Sequence, residues 1–230
     1  MARILLIETS TAQLSTALAE DRKLLSSRVC GEPRSQASLT APFVRDILDE
    51  QGWKVKDLDA VCVGKGPGSY TGLRVGVSTA KGLCFGAGIP LLSAGTLDTL
   101  VCEAHRLGVV PDGCRYIVPM VDARRMEVYS AVFTPDGKQL TETKPVIVEA
   151  GSFAKELAEG PVLFIGDGAL KCRETLVSGN AYFAAAYPTA AAMTSLAEAA
   201  YNEKRFEDVA YFEPFYLKDF VATVSRKKLF

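Results

Sequence analysis

The sequence predicts an α/β protein of two lobes, each a sheet of strands flanked by helices, and three observations carry that expectation. Two stretches, one beginning at Arg3 and one at Tyr116, open with apolar runs of strand length separated by polar turns. After each opening, helical patterns alternate with short apolar runs, and this order of elements occurs twice. The chain of 230 residues can form one large domain or two lobes of about 100 residues each.

In the first lobe, Arg3 to Ile7, Leu14 to Ala19 and Leu24 to Cys30 read as three strands, the first two joined by the polar turn Glu8 to Gln13. Leu39, Phe43, Val44, Ile47 and Leu48 fall at helical spacing opposite Asp46, Asp49 and Glu50, which predicts an amphipathic helix over Ser35 to Gln51 ended by Gly52. A buried strand over Leu58 to Val63, a helix over Thr71 to Gly86, a strand over Pro90 to Ser93 and a helix over Thr96 to His105 follow. The turn-rich stretch near Ala104 to Gly113 divides the chain, with residues 1–106 forming one lobe and 107–230 the other.

The second lobe repeats the start. Tyr116 to Val121 and Glu127 to Phe133 read as a hairpin around Asp122-Ala123-Arg124-Arg125, with a further strand near Val146 to Glu149. A helix over Ser152 to Glu159, a strand over Val162 to Ile165 ending in Gly166-Asp167-Gly168, and a helix over Thr194 to Phe206 complete it, and the C-terminal segment is expected to pack back on the first lobe.

With 26 basic and 27 acidic residues and a net charge of -1, no global field favours nucleic acid or a membrane surface. The six cysteines form no Cys-x-x-Cys pair and lie in apolar segments, so they read as buried thiols in a reducing cytosol. The apolar start at Met1 to Ile7 is too short for a signal sequence, and no stretch is long enough to span a bilayer, which predicts a cytoplasmic protein. His105 is the single histidine. It reads as a partly exposed helix residue, which disfavours a histidine metal site or a Ser-His-Asp arrangement.

The most unusual stretch is Gly64-Lys65-Gly66-Pro67-Gly68-Ser69-Tyr70-Thr71-Gly72, a glycine-rich turn between strand and helix. Two readings fit it. Amides gathered at a helix N-terminus could hold a phosphate or carboxylate; alternatively Gly66 and Gly68 permit a tight turn, with Ser69 or Thr71 capping the helix. The spacing matches neither the Gly-Lys-Ser/Thr phosphate loop nor the dinucleotide glycine triplet. Beyond the turn, Gly72, Gly76 and Ala80 recur every fourth residue, with Gly82 and Gly86 further on. Interior glycines cost a helix about 1 kcal/mol each relative to alanine, so a stripe of them implies close approach of another backbone, from the same chain or from a partner. Glu8-Thr9-Ser10-Thr11 places an acid beside hydroxyls at a strand end, a pattern suited to magnesium and phosphate or to a plain polar turn. Gly166-Asp167-Gly168 is the corresponding turn of the second lobe. Arg124 or Arg125 could clamp an oxyanion, or pair with Asp122 inside the hairpin. Ser225-Arg226-Lys227-Lys228 is a small basic cluster.

Three segments together resemble the TsaB (YeaZ) proteins of bacteria: Ile7-Glu8-Thr9-Ser10-Thr11, Gly66-Pro67-Gly68-Ser69-Tyr70-Thr71-Gly72-Leu73-Arg74-Val75-Gly76, and Asp122-Ala123-Arg124-Arg125-Met126-Glu127-Val128-Tyr129. Glu213-Pro214-Phe215-Tyr216-Leu217-Lys218 resembles the ending of that family. The resemblance implies an actin-like (ASKHA) two-lobed fold, each lobe a mixed β-sheet with flanking helices, related by duplication. It implies a non-catalytic scaffold and dimerisation subunit in making threonylcarbamoyladenosine beside the anticodon of tRNA, a glycoprotease-like relative of the catalytic subunit TsaD. Implied partners are a TsaD-type subunit, a TsaE-type ATPase, a second copy in isolation, and tRNA indirectly through the complex. No catalytic residue or metal ligand is implied, and ATP or ADP is expected only at a complex interface. Pairing in the family uses the first-lobe helices, which points to Leu39, Phe43, Ile47, Gly72, Leu73, Gly76, Val77 and Ala80. Candidate nucleotide or anion contacts are Glu8, Thr9, Ser10, Gly66, Gly68 and Ser69. Two positions depart from the family: Glu8 stands where Asp is frequent, and Gln36 where a histidine is common. The alternative function is an ATP-dependent kinase or ATPase of the same fold.

Overall fold

The computed structural model describes residues 2–217. Its two five-stranded sheets have the same topology. In the first, β1 (Arg3–Glu8), β2 (Leu14–Glu20), β3 (Lys23–Cys30), β4 (Ala60–Gly66) and β5 (Leu91–Gly95) lie in the order β3-β2-β1-β4-β5. In the second, β6 (Tyr116–Asp122), β7 (Glu127–Ser130), β8 (Lys144–Ile147), β9 (Val162–Ile165) and β10 (Ala181–Ala184) lie in the order β8-β7-β6-β9-β10. In each sheet the opening strand pairs antiparallel with the second and parallel with the fourth. An actin-like duplication is thus written in the pairing, where the sequences of the halves diverge.

The central strand β1 is apolar at consecutive positions because both its faces are covered. Leu5 and Ile7 point to α1 (Gln36–Gln51) and α2 (Tyr70–Ala87), packing with Val44, Ile47, Leu48, Val77 and Ala80. Ile4 and Leu6 point the other way, onto Ala190, Met193, Ala197 and Ala200 around α5 (Thr194–Asn202). In the second sheet Ile117, Val121, Leu163 and Ile165 pack under Leu97, Leu100, Val101 and Ala104 of α3 (Thr96–Arg106). The opposite face carries Val118, Met120 and Phe164, with Leu157 from α4 (Ala154–Glu159).

The sheets therefore exchange helices: α3 follows β5 in the chain yet covers the second sheet, and α5 follows β10 yet covers the first. The crossing is polar at its centre. Thr189 donates to the buried Glu103 carboxylate at 2.7 Å, Arg106 pairs with the same group at 2.6 Å, and the Ala190 amide donates to Ser15 Oγ at 2.8 Å. Residues 205–217 then run back along the first lobe. The Glu207 amide donates to the Leu91 carbonyl, Lys81 Nζ reaches the carbonyls of Ala210 and Phe212, and the Phe215 amide donates to the Lys65 carbonyl at 2.7 Å.

Several boundaries differ from the sequence expectation. The last helix ends at Asn202 rather than Phe206, since Lys204 takes a left-handed φ of 55° that a helix cannot continue. The helix expected from Ser152 starts at Ala154, after the left-handed Phe153 (φ 58°). The second strand of the second lobe stops at Ser130, although Phe133 bridges back to Ile117. Strand β10 was not expected: Ala-Tyr-Phe-Ala is too short for a periodic signal and becomes a strand only beside β9. The basic cluster at Ser225 to Lys228 and residue Lys218 lie outside the described residues.

Candidate functional site

The glycine turn and the first hairpin turn are built against each other. The Ser69 amide donates to the Ser10 carbonyl at 2.6 Å and Thr9 Oγ1 to the Gly72 carbonyl at 2.8 Å. A side chain on the turn would destroy this approach, because a Cβ on Gly68 would lie 2.1 Å from the Ser10 carbonyl oxygen and one on Gly72 2.1 Å from that of Thr9. Ser69 caps α2, its hydroxyl accepting from the Gly72 amide at 3.3 Å, which settles the choice between Ser69 and Thr71.

This geometry corrects the reading of the small-residue stripe. Gly72 and Gly76 do not face a partner; a Cβ on Gly76 would stand 2.3 Å from Thr9 Oγ1 of the same chain. Leu73, Val77, Ala80 and, on α1, Ile47 are buried in the first-lobe core. Of the expected partner contacts, only Leu39 and Phe43 remain half-exposed. The open part of α2 is Gly82, Phe85 and Gly86, where neither glycine has a neighbour within 4 Å and Phe85 is 85% exposed. An apolar groove of about 340 Å³ runs between α1 and α2 over Val44, Leu48, Trp53, Val55 and Leu83.

The expected nucleotide or anion contacts separate into two groups. Ser10, Gly68 and Ser69 line a cleft of about 520 Å³ between the lobes, with Asp122, Arg124 and Asp167 on its far wall. Glu8, Thr9 and Gly66 do not line it. Glu8 is fully buried at the end of β1; its Oε1 accepts the Ser10 amide at 2.6 Å, and its Oε2, without a hydrogen-bond partner, lies 2.3 Å from where a Cβ on Gly64 would stand. Burial pushes its pKa up to about 7, opposed by the neighbouring Ser10, whose hydroxyl lies near but forms no hydrogen bond of good geometry. The Glu8 carboxylate is thus a buried strut of the junction, and the magnesium-and-phosphate reading of this residue loses its geometry. Gly66 sits behind the turn with a φ of 103°, against Leu73 and the Phe215 carbonyl.

Neither arginine of the second hairpin pairs with Asp122. Asp122 meets Lys171 at 2.5 Å and accepts the Arg124 amide at 2.8 Å, while its own amide donates to Asp167. Burial raises the Asp167 pKa, and hydrogen bonding from Asp122 opposes this. At the cleft mouth Tyr70 and Tyr216 stand 4.9 Å apart, with the Arg74 guanidinium 4.2 Å over Tyr70. Two contributors escaped sequence reasoning. Lys171 gave no signal at all, and Gln36, noted only as a departure from the family, donates to the carbonyls of Thr11 and Ala12 at 3.0 and 3.2 Å. His105 is exposed on α3 as expected, beside the Pro135 carbonyl, and the six thiols are free. Among the described residues no group of three His, Cys, Asp or Glu could hold a metal, and no helix is long and apolar enough to cross a membrane.

A two-lobed actin-like fold with an inter-lobe cleft and an apolar helix pair defines a class that comparison with known proteins narrows. The family model for TsaD, tRNA N6-adenosine threonylcarbamoyltransferase, matches residues 34–225. The chain is 37% identical over 135 residues to the tRNA threonylcarbamoyladenosine biosynthesis protein TsaB of Escherichia coli, covering 58% of this chain and 56% of that protein. It is 31% identical over 167 residues to TsaB of Bacillus subtilis, covering 71% and 70%. The matched stretch thus spans little more than half the length of the first relative. YeaZ from Pseudomonas aeruginosa superposes with a TM-score of 0.82 at 28% identity, over 94% of this chain and all of that one. The chain belongs to the TsaB (YeaZ) branch of the family that the TsaD model describes.

Proposed function

We propose that this chain is a non-catalytic subunit of the machinery that makes threonylcarbamoyladenosine in tRNA, and that it docks on a TsaD-type catalytic subunit through the outer faces of α1 and α2. Two observations carry the docking surface: the groove between these helices, apolar along its floor and ringed by Arg45, Asp49 and Lys54, and Phe85, exposed on α2 outside that groove. Apolar floors with polar rims are the usual anatomy of protein interfaces. The same face would pair two copies when the partner is absent, and a TsaE-type ATPase and tRNA would join only through the assembled complex. The single histidine leaves no pair for a metal centre, in keeping with a supporting role.

Size-exclusion chromatography with a TsaD-type subunit tests the surface. Phe85→Glu is expected to abolish co-elution and to turn the homodimer into monomer, without loss of the circular dichroism of the parent. Unchanged co-elution of a folded Phe85→Glu protein would overturn the docking face. Replacing Gly76 is no test of it, because that residue supports the junction with Thr9.

A further inference from the structure

A second cavity, of about 380 Å³, opens where the lobes meet behind the glycine turn. Lys65 and Pro67 border it from that turn, Leu97 and Asp98 from the first turn of α3, Gln139 from the second lobe and Phe215 from the returning C-terminal run. It is distinct from the inter-lobe cleft, since Phe215 is the one residue that lines both. Its volume is that of a small-molecule site.

Two opposite charges border this small space without joining each other. Asp98 is half-buried, and its Oδ2 lies so close over Gly95 that a Cβ there would stand 2.1 Å away. An acid suits the first turn of a helix, yet the one amide hydrogen-bonded to this carboxylate is its own. Burial raises the Asp98 pKa, and the Lys65 charge opposes the shift, so the two groups lie within electrostatic reach. No ion pair joins them, and among the described residues neither the Lys65 ammonium nor the Asp98 carboxylate meets a partner on another residue. The Lys65 carbonyl accepts the Phe215 amide at 2.7 Å, which holds the strand end in place while the ammonium stays uncommitted. Gln139 commits both hydrogens of its side-chain amide, to the Thr141 carbonyl at 2.7 Å and to Thr143 Oγ1 at 3.1 Å. Its Oε1 is left as an acceptor on the second-lobe wall. Half-buried charges without partners are costly, and a ligand that carries both complements relieves both costs at once.

We propose that this cavity binds a free α-amino acid with an apolar side chain. The Lys65 ammonium holds the carboxylate with a charge-assisted hydrogen bond, and the Asp98 carboxylate and Gln139 Oε1 accept from the ammonium. Pro67, Leu97 and Phe215 receive the side chain. A lone anion or a lone cation is a poorer match, because either leaves one of the two protein charges uncompensated. This inference stands apart from the docking face on α1 and α2, and either can fail alone.

The test is a titration of the full chain with L-valine, L-leucine and L-phenylalanine, followed through the backbone amide resonances of Gly66, Gly95 and Leu97 and the side-chain amide of Gln139. At least one of the three is expected to shift these signals saturably, with half-saturation at or below about 1 mM. Its carboxamide, which lacks the negative charge, and its N-acetyl derivative, which lacks the positive one, are each expected to bind at least about tenfold more weakly. Lys65→Gln is expected to remove the penalty on the carboxamide, and Asp98→Asn the penalty on the N-acetyl derivative. Each comparison is between ligands on one variant, so a change in the stability of that variant does not imitate the result. The proposal is overturned if none of the three amino acids shifts these signals saturably, if both single-charge derivatives bind as the amino acid does, or if both variants keep the parent's order of preference.

Discussion

Glu8 illustrates how burial changes the role of a side chain. The sequence shows an acid among hydroxyls, which suits a cation site; the fold places its carboxyl in the interior, where the charged form is poorly solvated. A pKa raised from 4.5 to about 7 means that the folded state holds a proton that the unfolded chain releases. Stability from this group is therefore full below pH 4.5 and is lost as pH rises toward 7. The total loss is on the order of 3 kcal/mol. Urea unfolding at pH 5 and pH 8 should show a decline in the parent that is absent in Glu8→Gln, and equal declines in both would remove Glu8 as the cause. Gly76 makes the steric counterpart. Gly76→Leu drives side-chain atoms into Thr9 and should cost about 1–3 kcal/mol or more, read as a lowered urea midpoint.

Helix α2 meets three different surroundings along its length. Its first two turns border the cleft and press on the first hairpin turn through Gly72 and Gly76, and its last turns present Phe85 to solvent. A helix with a four-residue repeat of small residues can receive a partner or its own chain, and periodicity cannot distinguish the two. What identifies the neighbour here is the carbonyl of Thr9, a long-range contact that no local pattern encodes. Helix α3 gives a second case. Its apolar stripe of Leu97, Leu100, Val101 and Ala104 is legible, but the sheet it covers is not. Leu100 is fully buried in that contact, so Leu100→Ala should destabilise the protein by about 2–5 kcal/mol, measurable by denaturant titration.

The exchange of α3 and α5 makes the two lobes one cooperative body. Residues 1–106 alone would expose the apolar face of α3 and leave Ile4, Leu6 and Cys62 without α5. This fragment is expected to fail to fold, giving poor dispersion of amide resonances, while the full chain unfolds in a single thermal transition. A well-dispersed spectrum from the fragment, or two separate transitions in the whole chain, would contradict that expectation. The doubled order of strands and helices, the apolar centre of each sheet and the resemblance carried by the three motifs were legible because each is a local pattern repeated over several residues. Strand β10, at four residues, was too short to leave such a pattern.

The sequence alone determined that the chain is a duplicated α/β protein of the TsaB kind, since strand alternation, helical spacing and a long glycine motif are properties of neighbouring residues. Tertiary structure decided which atoms those motifs face: that Gly72 and Gly76 serve Thr9, that Glu8 is turned inward, that Lys171 balances Asp122, and that Thr11 and Arg124 line one cleft. The physical reason is that close approach, desolvation and charge pairing depend on distances between residues far apart in the chain, set only when the lobes close over their shared helices.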